Sequence, residues 1–418
     1  MAEIRPIRAL RYTEKAGLLS QNVCPPYDII SDEERDELIK GSPYNLVRLE
    51  KPEGEDKYLA ASGLLEEWLD NGILERDKDE CIFVYGEDFE VKGVRYSLKG
   101  IICLCKLYPF SEGVVLPHEN TLSGAKADRF ELMKTTLCNF SSIYGLYVDE
   151  ENAVTSIVQR TGAKAPDQCF TDNEGVTHSL WRIDDADDVS AIVRAMAPKQ
   201  IFIADGHHRY ETAVKFRDYL AERGECAANR DYVLMTLVDM DNDGLVIFPT
   251  HRLIHSMEVD KAALLKKLED EFDIEEYDDV SRAEAVLARY TDRKAYALYT
   301  GGEGFTLLVF KGPLPAIEDG GLCALDVSVL HNQILDRCLG IDKENMAAQR
   351  NLKYTRDIEE AVESVKSGKS SAAFILNATK VGEIKSVSLS GGKMPQKSTY
   401  FYPKLKTGLV MNTIKERN

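Results

Sequence analysis

Apolar and polar positions divide the chain into short segments of distinct period. The apolar run Ile201-Phe202-Ile203-Ala204 predicts a buried strand. Asp205-Gly206 breaks that run, and Ala213, Val214 and Phe216, spaced by polar residues, predict a helix directly after the turn. Earlier in the chain, Ser31 with Glu34 three residues on marks a capped helix start. Pro43–Leu49 reads as a turn followed by a strand. Tyr58, Leu59, Leu64, Leu65, Trp68 and Leu69 sit at helical spacing within Asp56–Asn71, and Gly72 stops the helix. Cys81–Glu87, Val91–Tyr96 and Lys99–Leu107 alternate or run apolar, which predicts strands with Lys92-Gly93 as a hairpin turn.

The middle of the chain continues in the same way. Leu132, Met133 and Leu137 mark a helix, Ser141–Val148 a strand and Asn152–Thr161 a helix. Asp172–Ile183 reads as a hairpin turning at Glu174-Gly175, with Trp181 inward and His178 on the strand surface. Ala186–Met196 is a helix, and Tyr232–Asp239 and Leu245–Pro249 are strands. His251 and His255 are spaced as on one helical face. From Asp260 the texture becomes more charged. Helices are expected at Asp260–Phe272, Ser281–Tyr290, Asp326–Leu339 (with His331 buried) and Ile358–Lys366, and strands at Ala295–Tyr299, Phe305–Phe310 and Ala372–Leu376. The expected fold class is α+β (mixed α/β). Residues 1–258 form an N-terminal α/β domain, 259–380 an α+β domain, and 381–418 a C-terminal segment expected to return to the active-site cleft.

Composition narrows the function classes. A chain of 418 residues suits two or three domains, and 44% hydrophobic residues support a real core. The net charge of −18 argues against a general nucleic-acid surface, which needs an excess of Lys and Arg. Met1–Leu10 carries Glu3, Arg5, Pro6 and Arg8 without an apolar core, so no signal peptide is expected. No apolar run is long enough for a membrane span. Nine scattered cysteines with no Cys-x-x-Cys pair read as reduced thiols in a cytoplasmic protein.

The chemistry gathers in a few loops. Asp205, Gly206, His207, His208 and Arg209 place a carboxylate, two imidazoles and a guanidinium in a strand–turn–helix frame. The first amides of such a helix lack internal partners and favour an anion. A carboxylate holds magnesium or takes a proton, a histidine moves a proton, and an arginine fits phosphate bidentately. The ordinary alternative is an Asp N-cap with surface histidines. A second loop supplies His118, Glu119, Thr121, Lys126 and Arg129 ahead of an apolar helix; Glu119 is a candidate general base. Pro25-Pro26 hold Tyr27 and Asp28 rigidly, either at a pocket edge or in a plain structural turn. Near the end, Lys397-Ser398-Thr399 is a ready phosphate contact without Walker spacing. Asp239, Asp241 and Asp243 fail as a calcium loop, because the twelfth position is Thr250.

Four stretches together carry a resemblance: Pro25-Pro26-Tyr27-Asp28, Pro117-His118-Glu119 with Asp128-Arg129, Ala204 to Arg209, and Met394 to Thr399. The sequence resembles the domain-of-unknown-function ten-fifteen family, a widespread bacterial family, over nearly its whole length. The Asp205–Arg209 turn also resembles the ParB/sulfiredoxin superfamily, and within it the free-serine kinases. That resemblance implies a phosphate-binding core elaborated with additional sheets and helices. It implies that Asp205 to Arg209 contact the transferred phosphate or its magnesium. His207 stands where a sulfiredoxin has its catalytic cysteine, which argues against sulfinic-acid reduction.

The reading is a small-molecule kinase, a phosphotransferase with an alcohol acceptor. It would move a phosphoryl group from ATP, ADP or pyrophosphate, with Mg2+, to free serine, giving O-phosphoserine; serine rests on the resemblance alone. The catalytic candidates are Glu119, Asp205, His207 and His208. Glu119 or Asp205 would be the base and the other would serve magnesium, with Asp205 the candidate metal ligand. Gly206, Arg209, Lys397, Ser398 and Thr399 would hold phosphate, with His118, Lys126 and Arg129 of second rank, and Tyr27 and Asp28 would line the substrate pocket. The alternatives are a non-catalytic nucleotide or phosphate sensor, and a metal-dependent phosphohydrolase using Asp205, His207 and His208. The expected partners are a small-molecule substrate and a phosphoryl donor, with no nucleic acid and no membrane; a homo-oligomer is left open.

Overall fold

A computed structural model describes residues 1–119, 121, 123–312, 322–395 and 397–415, without the side chains of residues 123 and 347. Asn120 and Gln396, which fall within two of the sequence stretches singled out above, lie outside the described residues. The chain divides into two units. The first comprises Met1–Pro117, Thr121–Leu245 and Pro403–Asn418; the second comprises His118–Asn120 and Val246–Tyr402. No helix among the described residues is long and apolar enough to cross a membrane.

The first unit is built on a nine-stranded mixed sheet among the described residues. Its strands run in the order Val115–Leu116, Ile201–Asp205, Ile143–Tyr147, Tyr232–Asp239, Val94–Lys106, Ile82–Val91, Thr177–Ile183 and Gln168–Thr171, with Ile4–Arg5 paired to Val94–Lys106. Ile201–Asp205 lies parallel to Val115–Leu116 and antiparallel to Ile143–Tyr147. Its inner residues are fully apolar because it is an interior strand. Ile201 and Ile203 pack in one core with Ile143, Met235 and Leu237, and with Ile192 and Met196, Tyr210, Phe216 and Leu220 from the helices Ala186–Met196 and His207–Glu222. The hairpin between Ile82–Val91 and Val94–Lys106 turns at Lys92 and Gly93, both at positive φ (51° and 79°). That is the two-residue turn whose twist matches antiparallel strands.

The second unit carries a six-stranded antiparallel sheet in the order Phe272–Tyr277, Phe305–Phe310, Ala295–Tyr299, Ala372–Leu376, His251–Ile254 and Leu352–Thr355. A two-stranded ribbon pairs Val246–Phe248 with Tyr400–Tyr402, and Phe248 stacks on Tyr402 at 4.6 Å between ring centroids. The chain is thus α+β with a mixed sheet, further sheets and surrounding helices.

Three local expectations are corrected. Val47–Glu50 is a short helix rather than a strand, and Leu46, Val47 and Leu49 are all buried beneath Trp68 and its neighbours. A segment this short, apolar at 46, 47 and 49, fits either element, and packing decides between them. His251 lies on the strand His251–Ile254, not on a helix, because cross-strand pairing to Leu352–Thr355 takes the segment into the sheet. His178 is buried, not on the surface. The face it occupies is closed off by Tyr85, Phe170 and Asp172.

The same pocket of polar groups holds Glu87, which is 1% exposed. Burial pushes its carboxyl up to about 7. A carboxyl raised in the folded state contributes stability below its unfolded value and loses it as pH rises toward the folded one. The loss is about 3 kcal/mol for a shift of this size. Glu87→Gln therefore gains stability over the native chain at pH 8 but little at pH 4.5, as denaturant unfolding at the two pH values will show. An equal gap at both would contradict it.

Candidate functional site

In the first unit, the interior strand delivers Asp205 to the sheet edge. The register with Ile143–Tyr147 shifts between Ile203 and Asp205, a bulge that re-aims the strand's last side chain. Gly206 follows at φ +94° and serves as the N-cap of the helix His207–Glu222. A Cβ at Gly206 would lie 2.9 Å from Arg209 Nη2 and 3.0 Å from its Cζ. Glycine is needed twice over, for the left-handed backbone and for the space into which Arg209 folds back.

Arg209 Nη2 donates to Asp205 Oδ2 at 2.8 Å, and its Nη1 to the Ser142 carbonyl at 2.5 Å. Lys404 Nζ donates to Asp205 Oδ1 at 2.6 Å. Both carboxylate oxygens thus carry a cation. The side chains of Arg209 and Lys404 are each only 10% exposed, and that of Asp205 20%. Burial pushes the Asp205 carboxyl upward, but the Lys404 ammonium and the Arg209 guanidinium outweigh it and hold it well below the usual carboxylate range. A carboxylate held in that state is a poor proton acceptor at neutral pH. The N-cap residue is Gly206, with no side-chain cap bond and no acidic residue in the first turn. Asp205 is therefore not the N-cap that an ordinary reading of the sequence assigns to it. His207 is buried and His208 half-buried on that first turn.

Beside the turn lies a second charged group. Arg129 donates to Asp128 Oδ2 from Nε and Nη2 (2.9 and 2.5 Å) and to the Glu50 carbonyl from Nη1 (2.6 Å), and sits 4.0 Å over the Tyr27 ring. Lys57 and Tyr58 complete the Asp128 carboxylate at 2.7 and 2.8 Å. Glu50, 4% exposed at its side chain, accepts from Ser141 Oγ at 2.9 Å and lies 3.7 Å from Arg129. Burial raises its carboxyl against the pull of Arg129 and Arg209. Glu50, Arg129, Ser141 and Arg209 line a cavity of about 40 Å³. That is room for water rather than for a substrate. Burial also pushes the Tyr27 hydroxyl up; Asp28 is exposed. Lys126 donates to Glu211 Oε2 at 2.6 Å, which Thr121 also reaches at 2.9 Å.

These pairings make Arg129 a structural tie. Arg129→Met leaves Asp128 and buried Glu50 without their guanidinium, and the expected loss is about 3 kcal/mol of stability. Urea unfolding measures it; a change under about 0.5 kcal/mol, typical of an ordinary surface site, would contradict the assignment.

The second unit brings together the other two loops. Glu119 pairs in a parallel bridge with Met394, and the Met394 amide donates to the His118 carbonyl at 2.7 Å. The Lys397 amide donates to Glu119 Oε1 at 3.0 Å, with Lys397 at φ +57°. His118 Nε2 lies 3.0 Å from Thr399 Oγ1. The Ser398 hydroxyl donates to the Pro395 carbonyl at 2.5 Å, and its own carbonyl accepts from Thr379. Arg252, fully buried, lies close enough to Glu119 to feel its charge.

The structure thus gathers Tyr27, Asp128, Arg129 and Asp205–Arg209 in one unit, and His118, Glu119 and Lys397–Thr399 in the other. Sequence reasoning missed Lys404 and Glu50. Lys404 has its partner 199 residues away, which leaves no local signal. Glu50 lies just past Pro43–Leu49, and only the helix Val47–Glu50 turns it toward Ser141 and Arg129. The donor set at Asp205 does not fit a resident magnesium, since one carboxylate already holds two cations and a third would have to displace Lys404. Among the described residues, no group of three or more His, Cys, Asp or Glu is placed to hold a metal ion.

A family described as "Protein of unknown function (DUF1015)" matches residues 4–328. No curated protein matches the chain. Among solved structures, a mutant of a free serine kinase in complex with ADP aligns at 14% identity and a TM-score of 0.38, covering 72% of this chain and 89% of that one. A mutant of a free serine kinase in complex with AMP gives 15% and 0.38, covering 76% and 92%. A conserved hypothetical protein from Pyrococcus furiosus gives 16% and 0.33, covering 71% and 93%. Scores this low assign neither fold nor activity.

Proposed function

The chain belongs to the DUF1015 family, whose description states no activity, and on that premise we propose that it is a small-molecule phosphotransferase whose Asp205–Arg209 turn holds the donor's phosphates. One observation carries the reading: two cations, Lys404 and Arg209, are fixed on one carboxylate at a helix N-terminus with no side-chain cap. The cluster has an excess of positive charge, and the helix dipole adds to it. The Arg209 guanidinium and the Lys404 ammonium, with the first-turn amides, have the donor chemistry that phosphate oxygens accept from.

In this proposal Asp205 is an anchor that orients the two cations, not the base. The acceptor hydroxyl gives its proton to a general base as its oxygen attacks the terminal phosphorus; the bridging P–O bond breaks and its electron pair leaves with the released phosphate or nucleotide. Glu119, in the second unit, stays the proposed base. His207 and His208 are proton donors to that leaving oxygen. Lys397, Ser398 and Thr399 remain proposed phosphate contacts, and free serine remains the proposed acceptor on the resemblance of the motifs. No step is routed through a protein-held metal; any magnesium would arrive with the donor's phosphates.

Titration calorimetry with pyrophosphate, ADP, AMP and ATP tests the phosphate site. At least one should bind, with affinity falling as salt rises, and at a hundredfold excess over Kd it should stabilise the protein by about 2.7 kcal/mol. No heat and no thermal shift with any of them would overturn the reading.

A further inference from the structure

The proposed reaction leaves unused a buried polar chain in the first unit. The Tyr85 hydroxyl lies 3.0 Å from Glu87 Oε1 and 2.7 Å from His178 Nδ1. His178 Nε2 lies 3.0 Å from Asp172 Oδ2, and Lys406 Nζ lies 2.7 Å from the same oxygen. Tyr85, Glu87 and His178 are at most 3% exposed, and the side chains of Asp172 and Lys406 are 9% and 11% exposed. Burial raises the Glu87 carboxyl to about 7 and lowers His178. The Tyr85 hydroxyl donates to Glu87 Oε1, and Asp172 Oδ2 faces both His178 Nε2 and the Lys406 ammonium. Asp172 remains the anion; burial opposes this, but His178 and Lys406 hold it well below the carboxylate range.

The far end of this chain matters. Lys406 is two residues beyond Lys404 in the segment Pro403–Thr407, which Cys24 pins by paired backbone bonds at Thr407 (3.2 and 2.8 Å). One lysine ends on Asp172 and the other on Asp205. A segment held at Lys406 has little freedom left at Lys404. We propose that Asp172, fixed by His178, Tyr85 and Glu87, is a positioning group that anchors Lys406 and thereby delivers the Lys404 ammonium to the phosphate site. The inference rests on the phosphate-site reading and adds to it the device that sets the site's second cation.

A double-mutant cycle on pyrophosphate affinity, read by calorimetry, tests it. Lys404→Met should weaken binding about tenfold, as for loss of one charge-assisted hydrogen bond. Asp172→Asn should weaken it severalfold, and the double variant should bind no worse than Lys404→Met alone, because Asp172 acts only through Lys404. Lys406→Met repeats the test from the other side of the ion pair, and Lys406→Arg should recover most of the affinity. Unchanged affinity in Asp172→Asn and Lys406→Met, or fully multiplicative losses in the double variant, would overturn the positioning role while leaving the phosphate site standing. No pyrophosphate binding by the native chain would instead remove the phosphate-site reading, and this inference with it.

Discussion

Under the proposed function, Asp205→Asn lowers phosphotransfer by about 10²–10³ in kcat, the range for loss of a preorganised electrostatic group. The change keeps shape and removes charge. Lys404 and Arg209, each 10% exposed, then face a neutral amide whose N–H₂ end repels one of them. The cations stay but lose their aim. Their net charge is now larger, so donor KM should move little or fall while kcat drops, and that split separates an orienting anchor from a simple binding contact. Leaving two nearly buried cations without a counter-charge should also cost about 3 kcal/mol in stability. Activity within a factor of about three of the native chain would contradict the assignment, since orienting the cations is the only role it gives Asp205.

Glu119→Gln should cost about 10²–10⁴ in kcat, the usual worth of a general base. Its amide oxygen can still accept from the Lys397 N–H that Glu119 Oε1 now receives at 3.0 Å. Fold and donor affinity should therefore be retained, and thermal unfolding of the variant should match the native chain. Full activity would move the base elsewhere; collapse of the fold would make Glu119 a loop tie.

Local signals carried far into the structure. The strand Ile201–Asp205 was legible because an interior strand buries both faces and must read as an unbroken apolar run. Gly206 was legible because the turn after it needs positive φ. What the sequence could not show were pairings between distant segments. Nothing near Lys404 reveals that Asp205 is its partner, and nothing near His178 reveals that Tyr85 closes over it. Glu50 needed the helix Val47–Glu50 to be recognised first, and four residues are too few for a period to emerge. The motif residues were found as motifs; their roles depend on contacts that only the fold supplies.

The most direct test is turnover. The purified protein is incubated with serine, magnesium salts and, separately, ATP, ADP or pyrophosphate, and O-phosphoserine is measured. Product is expected with one donor, and is lost in Asp205→Asn and in Glu119→Gln. No product with any donor, together with no thermal stabilisation by any of them, would contradict the claim that the turn at Asp205 is a polyphosphate site.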